Sequence, residues 1–270
     1  MTDVKNLLKR YRYTLILLRQ LVITDFKLRY QNSFLGYIWS LLRPLAMFTI
    51  LYFVFVKFLK VGNDVPHFPV YLLLGIVCWN YFAEVTNIGV SSIVARGDVL
   101  RKLNFPKYVI VLAGSASALI NLGINLVVVA IFMVFNGADP QARALIFAPL
   151  LILELFVFAI AMAFLLSALF VRFRDVNYIW EVFMQAAFYG TPIVYPLASA
   201  HSAAYILIFN PVAQIVQDLR YVLITNQTLT IGTLYHNEWV RLIPVLFTIV
   251  LALYAASYFH RRSPYFAEDL

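Results

Sequence analysis

Long apolar runs, separated by short polar and basic segments, dominate this chain. Six stretches reach or approach the roughly 20 residues that a helix needs to cross a bilayer: 34–58, 68–94, 108–135, 144–171, 179–195 and 240–259. The fifth is short. The apolar piece that follows it, 203–224, is broken by Asn210, Pro211, Asp218 and Arg220 and makes a poor seventh span. A re-entrant or interfacial hairpin suits it better, because irregular backbone is tolerated at membrane depth only where protein buries it. The pattern predicts an all-α integral membrane protein. Six transmembrane helices fill 34–259, an amphipathic interface helix covers 1–30, and a tail occupies 260–270. An extracytoplasmic re-entrant hairpin lies between the fifth and sixth spans. No internal repeat or linker divides this single domain.

The N-terminal segment has its own periodicity. Leu7, Tyr11, Leu15, Leu18, Val22 and Phe26 recur at spacings of three and four and so share one helix face. Lys5, Lys9, Arg12 and Lys27 lie on another side, with Ile16 and Ile23 blurring the polar face. Such a helix lies in the cytoplasmic interface of a membrane or packs on a soluble partner, and the two are compatible.

Composition supports the membrane reading. The 270 residues are 63% hydrophobic and 13% charged, against roughly half and a quarter in soluble domains. The net charge of +8 would suggest nucleic acid in a soluble protein; beside membrane spans it points to anionic lipid heads. Fifteen basic residues fall in the N-terminal segment, the loops 95–108 and 172–178, and the tail after Phe259. Five (Lys57, Lys60, Arg143, Arg220 and Arg241) fall on the opposite flanks, and Arg43 lies inside the first span. This asymmetry predicts that both termini are cytoplasmic.

Several chemistries are excluded. Cys78 stands alone, so no intrachain disulfide or cysteine-based metal site forms. His67, His201, His236 and His260 are scattered, and no metal site is expected. No glycine precedes a lysine, so a phosphate-cradling P-loop is missing. The basic residues of the first 30 positions interrupt any signal-peptide core. The chain is therefore expected to bind no cofactor and to catalyse no reaction of its own. Uphill movement of a cargo would draw on an ion gradient or on a separate subunit.

The stretch DFKLRYQNSFLGYIWSLLRP at 25–44 carries Leu28, Arg29 and Tyr30, then Ser33, Leu35 and Gly36, then Trp39, Leu41, Leu42 and Pro44. It resembles the start of the permease subunits of type-2 ABC exporters that move lipid-linked polysaccharide, although Phe34 stands where smaller apolar residues are common. Three further blocks are similar to that family in the right order. GDVLRKLNFPK at 97–107 resembles its ATPase-coupling segment, RFRDVNYIW at 172–180 its Arg-Asp pair before the fifth span, and TPIVYP at 191–196 with Asn210–Pro211 its extracytoplasmic re-entrant region. The resemblance implies a homodimer of permeases in a bacterial inner (plasma) membrane, with two P-loop ATPase subunits that use ATP and magnesium. It implies as cargo a polymer linked to polyprenyl diphosphate, such as O-antigen, teichoic acid or capsule. A drug- or lipid-exporting permease of the same type is the alternative. An ion-coupled secondary transporter would show inverted repeats with matched broken helices, whereas the only break here comes late in the chain.

The expected site residues fall into three groups. In the coupling segment they are Gly97, Asp98, Leu100, Arg101, Lys102, Phe105, Pro106 and Lys107, with Asp98 as the N-cap of a short helix that Pro106 ends; an ordinary basic loop on lipid heads is the other reading. For the substrate path they are Arg43, Glu84, Tyr37, Trp39, Tyr52, Trp180, Phe183, Phe188 and Tyr189. These aromatic rings suit the apolar faces of sugars, but they equally suit interfacial belts. In the re-entrant region they are Thr191, Pro192, Tyr195, Asn210 and Pro211. Arg43, Glu84, Glu154 and Glu181 are charges in apolar runs, where each costs roughly 2.5–3.5 kcal/mol and so faces protein or water. Arg43 and Glu84 fall at similar depth on consecutive spans and are expected to pair, directly or through water, with Arg43 suited to the oxygens of a diphosphate.

Overall fold

The computed structural model describes residues 2–30, 36–62, 64–102 and 105–269, less the side chains of 2–11, 26, 28–30, 37, 99, 101, 102, 267 and 269. Every regular element among the described residues is helical. In chain order these are α1 (Thr2–Tyr30), α2 (Trp39–Leu51), α3 (Phe68–Ser92), α4 (Gly97–Lys102), α5 (Tyr108–Asn136) and α6 (Ala144–Arg172). There follow α7 (Val176–Gly190), α8 (Ala204–Leu207), α9 (Pro211–Leu223), α10 (Ile231–Tyr235), α11 (Leu242–Arg262) and α12 (Phe266–Asp269). A π-helical stretch, Tyr52–Phe58, prolongs α2.

Among the described residues, five helical stretches are long and apolar enough to cross a membrane: Trp39–Phe58, Phe68–Ser92, Tyr108–Asn136, Ala144–Arg172 and Glu238–Tyr265. Their limits follow the local chemistry. Pro69 stands in the first turn of α3, where its missing N–H costs nothing. Gly137, at φ 66°, closes α5 in the left-handed conformation that glycine adopts freely. The expected fifth span is the exception. α7 has 15 residues, about 22 Å at 1.5 Å per residue, which falls short of a hydrocarbon core of roughly 30 Å. It stops at Gly190 because Pro192 has no N–H to offer a continuing helix.

α3 is the central helix, buried along nearly all of its length. α5 and α6 pack against it, and α11 packs on α6. At the crossing of α3 and α6, a methyl group on Gly89 would stand 2.5 Å from the Ala163 Cβ. Small residues on both helices thus allow the close backbone approach on which packing in lipid depends.

α1 lies along α5. Its half-buried residues are Thr14, Leu17, Leu18, Leu21, Val22 and Asp25. This face includes the expected Leu18 and Val22 but not Leu15, which is 63% exposed. The side chains of Leu7, Tyr11 and Phe26 lie outside those described. The apolar face is wider than one contact needs, so packing on α5 uses one edge and leaves Tyr13, Leu15, Ile16 and Ile23 outside. Such an outward apolar edge fits a helix lying in a membrane interface.

The segment after α7 turns back into the protein. Thr191, Pro192, Ile193 and Val194 are buried, and so is every residue of α9 from Pro211 to Arg220. The residues that spoil a seventh span are the ones that build this insertion. Asn210 caps α9, its side chain accepting from the Val212 N–H at 3.0 Å, and Pro211 fills the first helical position. The Asn210 amide also donates to the Thr191 hydroxyl at 3.0 Å, which joins the two proline-containing motifs. Asp218 accepts from Gln214 at 2.6 Å and meets Arg241 at 3.2 Å, tying α9 to the turn before α11.

Arg220 is fully buried and sits beneath this arrangement. Its Nε donates to the Tyr71 carbonyl (3.0 Å), Nη1 to the Pro192 carbonyl (2.6 Å) and to Gln217 Oε1 (3.0 Å), and Nη2 to the Ile193 carbonyl (2.9 Å). The guanidinium lies 3.6 Å from the centroid of the Tyr71 ring, and the Tyr71 hydroxyl completes the set by donating to Gln217 at 3.0 Å. No carboxylate among the described residues forms a salt bridge with Arg220. Carbonyl dipoles and a ring face hold the charge instead.

Gly75 provides the room for that guanidinium, since a Cβ there would stand 2.4 Å from Nη2. Four hydrogen bonds prevent Arg220 from yielding. Gly75→Ala should therefore cost about 1–3 kcal/mol as overpacking. Arg220→Lys, which loses the planar fork, should cost about 3 kcal/mol through unpaired buried carbonyls. Thermal unfolding of the detergent-solubilised chain checks both. Because the two changes disturb one guanidinium, the double variant should lose less than the sum of the singles.

Candidate functional site

α2, α3 and α5 enclose a cavity of about 770 Å³. α3 places Asn80, Glu84 and Asn87 on one face, four and three residues apart; α5 adds Asn121 and Asn125 one turn apart; α2 adds Trp39, Ser40 and Arg43. The Asn121 amide donates to Glu84 Oε1 at 2.9 Å. Asn125 donates to the backbone carbonyls of Asn121 (2.8 Å) and Ser40 (3.2 Å), which links α5 to α2. The wall combines a guanidinium, a carboxylate, four amides and an indole. It offers both donors and acceptors to a hydroxylated or phosphorylated ligand at membrane depth.

Trp39, Arg43 and Glu84 of the expected substrate path line this cavity. Glu84 has the Asn121 amide as its described partner, and no direct salt bridge joins it to Arg43. The side chain of Tyr37 lies outside those described. The other expected aromatics are elsewhere. Tyr52 packs against Phe48 with ring centroids 5.7 Å apart. Trp180 and Phe188 are buried on α7 against Phe82 and Trp79 of α3. Phe183 and Tyr189, also on α7, are exposed. Of the remaining charges, Glu181 is exposed on α7 and Glu154 faces Asp218 and Arg241. Sequence reasoning passed over the four asparagines, Ser40 and Tyr81, which also line the cavity. For the asparagines the available signal was their spacing, because polar groups four or seven residues apart in an apolar span share one helix face, which then has to look toward protein.

At one edge of the bundle the coupling segment forms α4. Asp98 is exposed within the first turn, where its charge suits the helix dipole, rather than capping from outside. Leu100 and Phe105 are buried anchors, Pro106 is half-buried, and the side chains of Arg101 and Lys102 lie outside those described. Just before α4, Arg96 forms a salt bridge with Asp25 of α1. Arg172 and Arg174 make no salt bridge with Asp175 among the described residues; each lies over a ring, Phe173 at 5.2 Å and Phe170 at 5.3 Å.

The profile of one known family, the ABC-2 type transporter, matches residues 16–224, from α1 through the end of α9. The chain belongs to the ABC-2 type transporter family. Relatives of this ABC-2 protein include the O-antigen export system permease protein RfbA of Myxococcus xanthus, 26% identical over 263 residues that cover 96% of this chain and 97% of the relative. A Klebsiella pneumoniae protein of the same name is 28% identical over 248 residues, covering 91% and 92% of the two chains. A second from Klebsiella pneumoniae is 27% identical over 197 residues, 73% of this chain and 75% of the relative.

Glu84 and Asn121 of this ABC-2 protein should be energetically coupled. A double-mutant cycle with Glu84→Ala and Asn121→Ala, read by thermal unfolding, should show an interaction of about 1 kcal/mol. The corresponding cycle with Arg43→Ala and Glu84→Ala should show less.

Proposed function

We propose that this chain is the membrane-spanning subunit of an ATP-driven exporter that moves a polysaccharide linked to polyprenyl diphosphate from the cytoplasm across the inner membrane. The observation that carries this reading is the near full-length similarity to relatives named O-antigen export permeases. The cavity adds a chemical reason. Arg43 presents a planar fork suited to phosphate oxygens, and the indole of Trp39 and the amides of α3 and α5 suit the faces and hydroxyls of sugars. The working assembly has two copies of this chain and two of a P-loop ATPase, which supplies the ATP and magnesium chemistry. α4 forms the surface on which that ATPase pushes.

In this reading α7 is the fifth crossing, completed by the buried segment 191–194, and α11 is the sixth. The turned-in region through α9 is the extracytoplasmic re-entrant hairpin, and both termini lie in the cytoplasm. α7 needs no full bilayer length of its own if the remaining depth is filled by backbone whose carbonyls are already satisfied.

The test is co-expression with the cognate ATPase in membrane vesicles. The complex should hydrolyse ATP and move lipid-linked polymer, while the permease alone should hydrolyse none. Asp98→Arg with Phe105→Ala should leave the permease inserted but remove transport or the ATPase itself. Survival of coupled transport in that variant would refute the coupling surface. For orientation, a single cysteine at Gln227 should react with an impermeant reagent from outside, and one at Arg174 should not.

A further inference from the structure

The residues after α11 fold back onto α4. Pro264 has no N–H and ends the regular helix at Arg262. Ser263 and Pro264 form the turn just past that end, closed by the Phe266 N–H donating to the Ser263 carbonyl. Lys107, on the loop after α4, adds a second donor: its Nζ donates to the Ser263 carbonyl and, at 3.3 Å, to the Pro264 carbonyl. The same ammonium lies 5.7 Å from the centroid of the Phe266 ring. A cation at a helix C-terminus is also favoured by the helix dipole.

Phe266 is 1% exposed. It packs edge-on against Phe259 of α11 at 5.3 Å, and Phe259 packs against Phe164 of α6 at 4.9 Å. α12 rests on both α4 and α6, and among the described residues it is the main neighbour of α4 apart from the turn that precedes it. Rings and hydrogen bonds therefore run from Lys107, at the start of α5, through Phe266 into α11 and α6, while α12 packs on α4. Lys107, expected from sequence to face a partner, points instead into its own chain.

We propose that residues 263–269 form a latch that fixes α4 against the bundle and passes displacement of α4 to α6 and α11, with Phe266 and Lys107 as its positioning residues. Its functional consequence rests on the reading of α4 as the ATPase contact; its mechanical part does not. An unlatched α4 would move under the ATPase without moving the spans, so hydrolysis would continue with less transport.

The test uses the full chain, alone and in complex with its ATPase. Phe266→Ala and Lys107→Ala should each speed hydrogen exchange of the α4 amides about tenfold, leaving α3 unchanged, as local unfolding of a weakly held element requires. In the complex, each should lower polymer moved per ATP hydrolysed several-fold while the ATPase still co-purifies, and Phe266→Leu should restore most of the ratio. Unchanged α4 exchange in both variants would overturn the latch. If exchange rises but the transport ratio does not fall, the transmission claim fails. Should Phe266→Ala not insert, Lys107→Ala decides alone. Asp98→Arg separates the two readings: if it alters neither ATPase association nor transport, α4 is not the ATPase contact, and the exchange result still judges the latch.

Discussion

A buried guanidinium, with no carboxylate partner among the described residues, holds the non-helical segment after α7 in place. Carbonyl groups that leave a helix at membrane depth have no water to accept from, and each one left bare costs several kcal/mol. The chain leaves α7 at Gly190, and the carbonyls of the buried Pro192 and Ile193 lie outside any helix. Arg220 takes both, together with the Tyr71 carbonyl on α3. One side chain thereby satisfies backbone from two separate parts of the fold and fixes α9 between α3, α6 and α11. Gly75 and Tyr71 are the floor and lid of its seat. Without it, α7 would be a short helix followed by a loop with no reason to stay inside.

That anchor divides the molecule mechanically. α3, α6 and α9 form a densely buried interior, with the Gly89–Ala163 contact bringing α3 and α6 as close as backbones pack. α2 and α11 keep most of their apolar surface outside that interior, as helices bathed in lipid do. The polar cavity lies between these regimes, against the rigid α3 on one side and the more exposed α2 on the other. An opening of α2 away from α3 would widen it without disturbing the interior.

Much of this was legible in the sequence, for physical reasons that differ by region. Helices α3, α5, α6 and α11 were readable because length and apolarity alone decide whether a helix can span a bilayer, and glycine and proline mark their ends. α7 was overestimated because apolarity continues through 191–195 while the backbone does not; two prolines and a remote arginine decide that, and only the prolines are local. The contact edge of α1 was missed because a helix apolar on more than one edge leaves the choice to its neighbour. Of the residues that line the cavity, Arg43, Glu84 and Trp39 were picked out in the sequence by the cost of charge and the value of an indole. The asparagines were not, because an amide is a weak signal until its periodicity is read. The aromatics of α7 lie away from the cavity, and their sequence could not place them, since ring chemistry suits a core, a lipid face and a sugar path equally.

The central claim is that α9 is held inside the protein as a fixed element rather than lying as a loose surface helix. Thiol reactivity measures this directly. With Cys78 replaced by serine, single cysteines are introduced at Val216, fully buried on α9, and at Asn226, exposed just beyond it. The account predicts that Asn226→Cys is modified rapidly and that Val216→Cys stays unmodified over the same period in the native protein, reacting only once the protein is unfolded. Modification of Val216→Cys as fast as Asn226→Cys in the folded protein would contradict it.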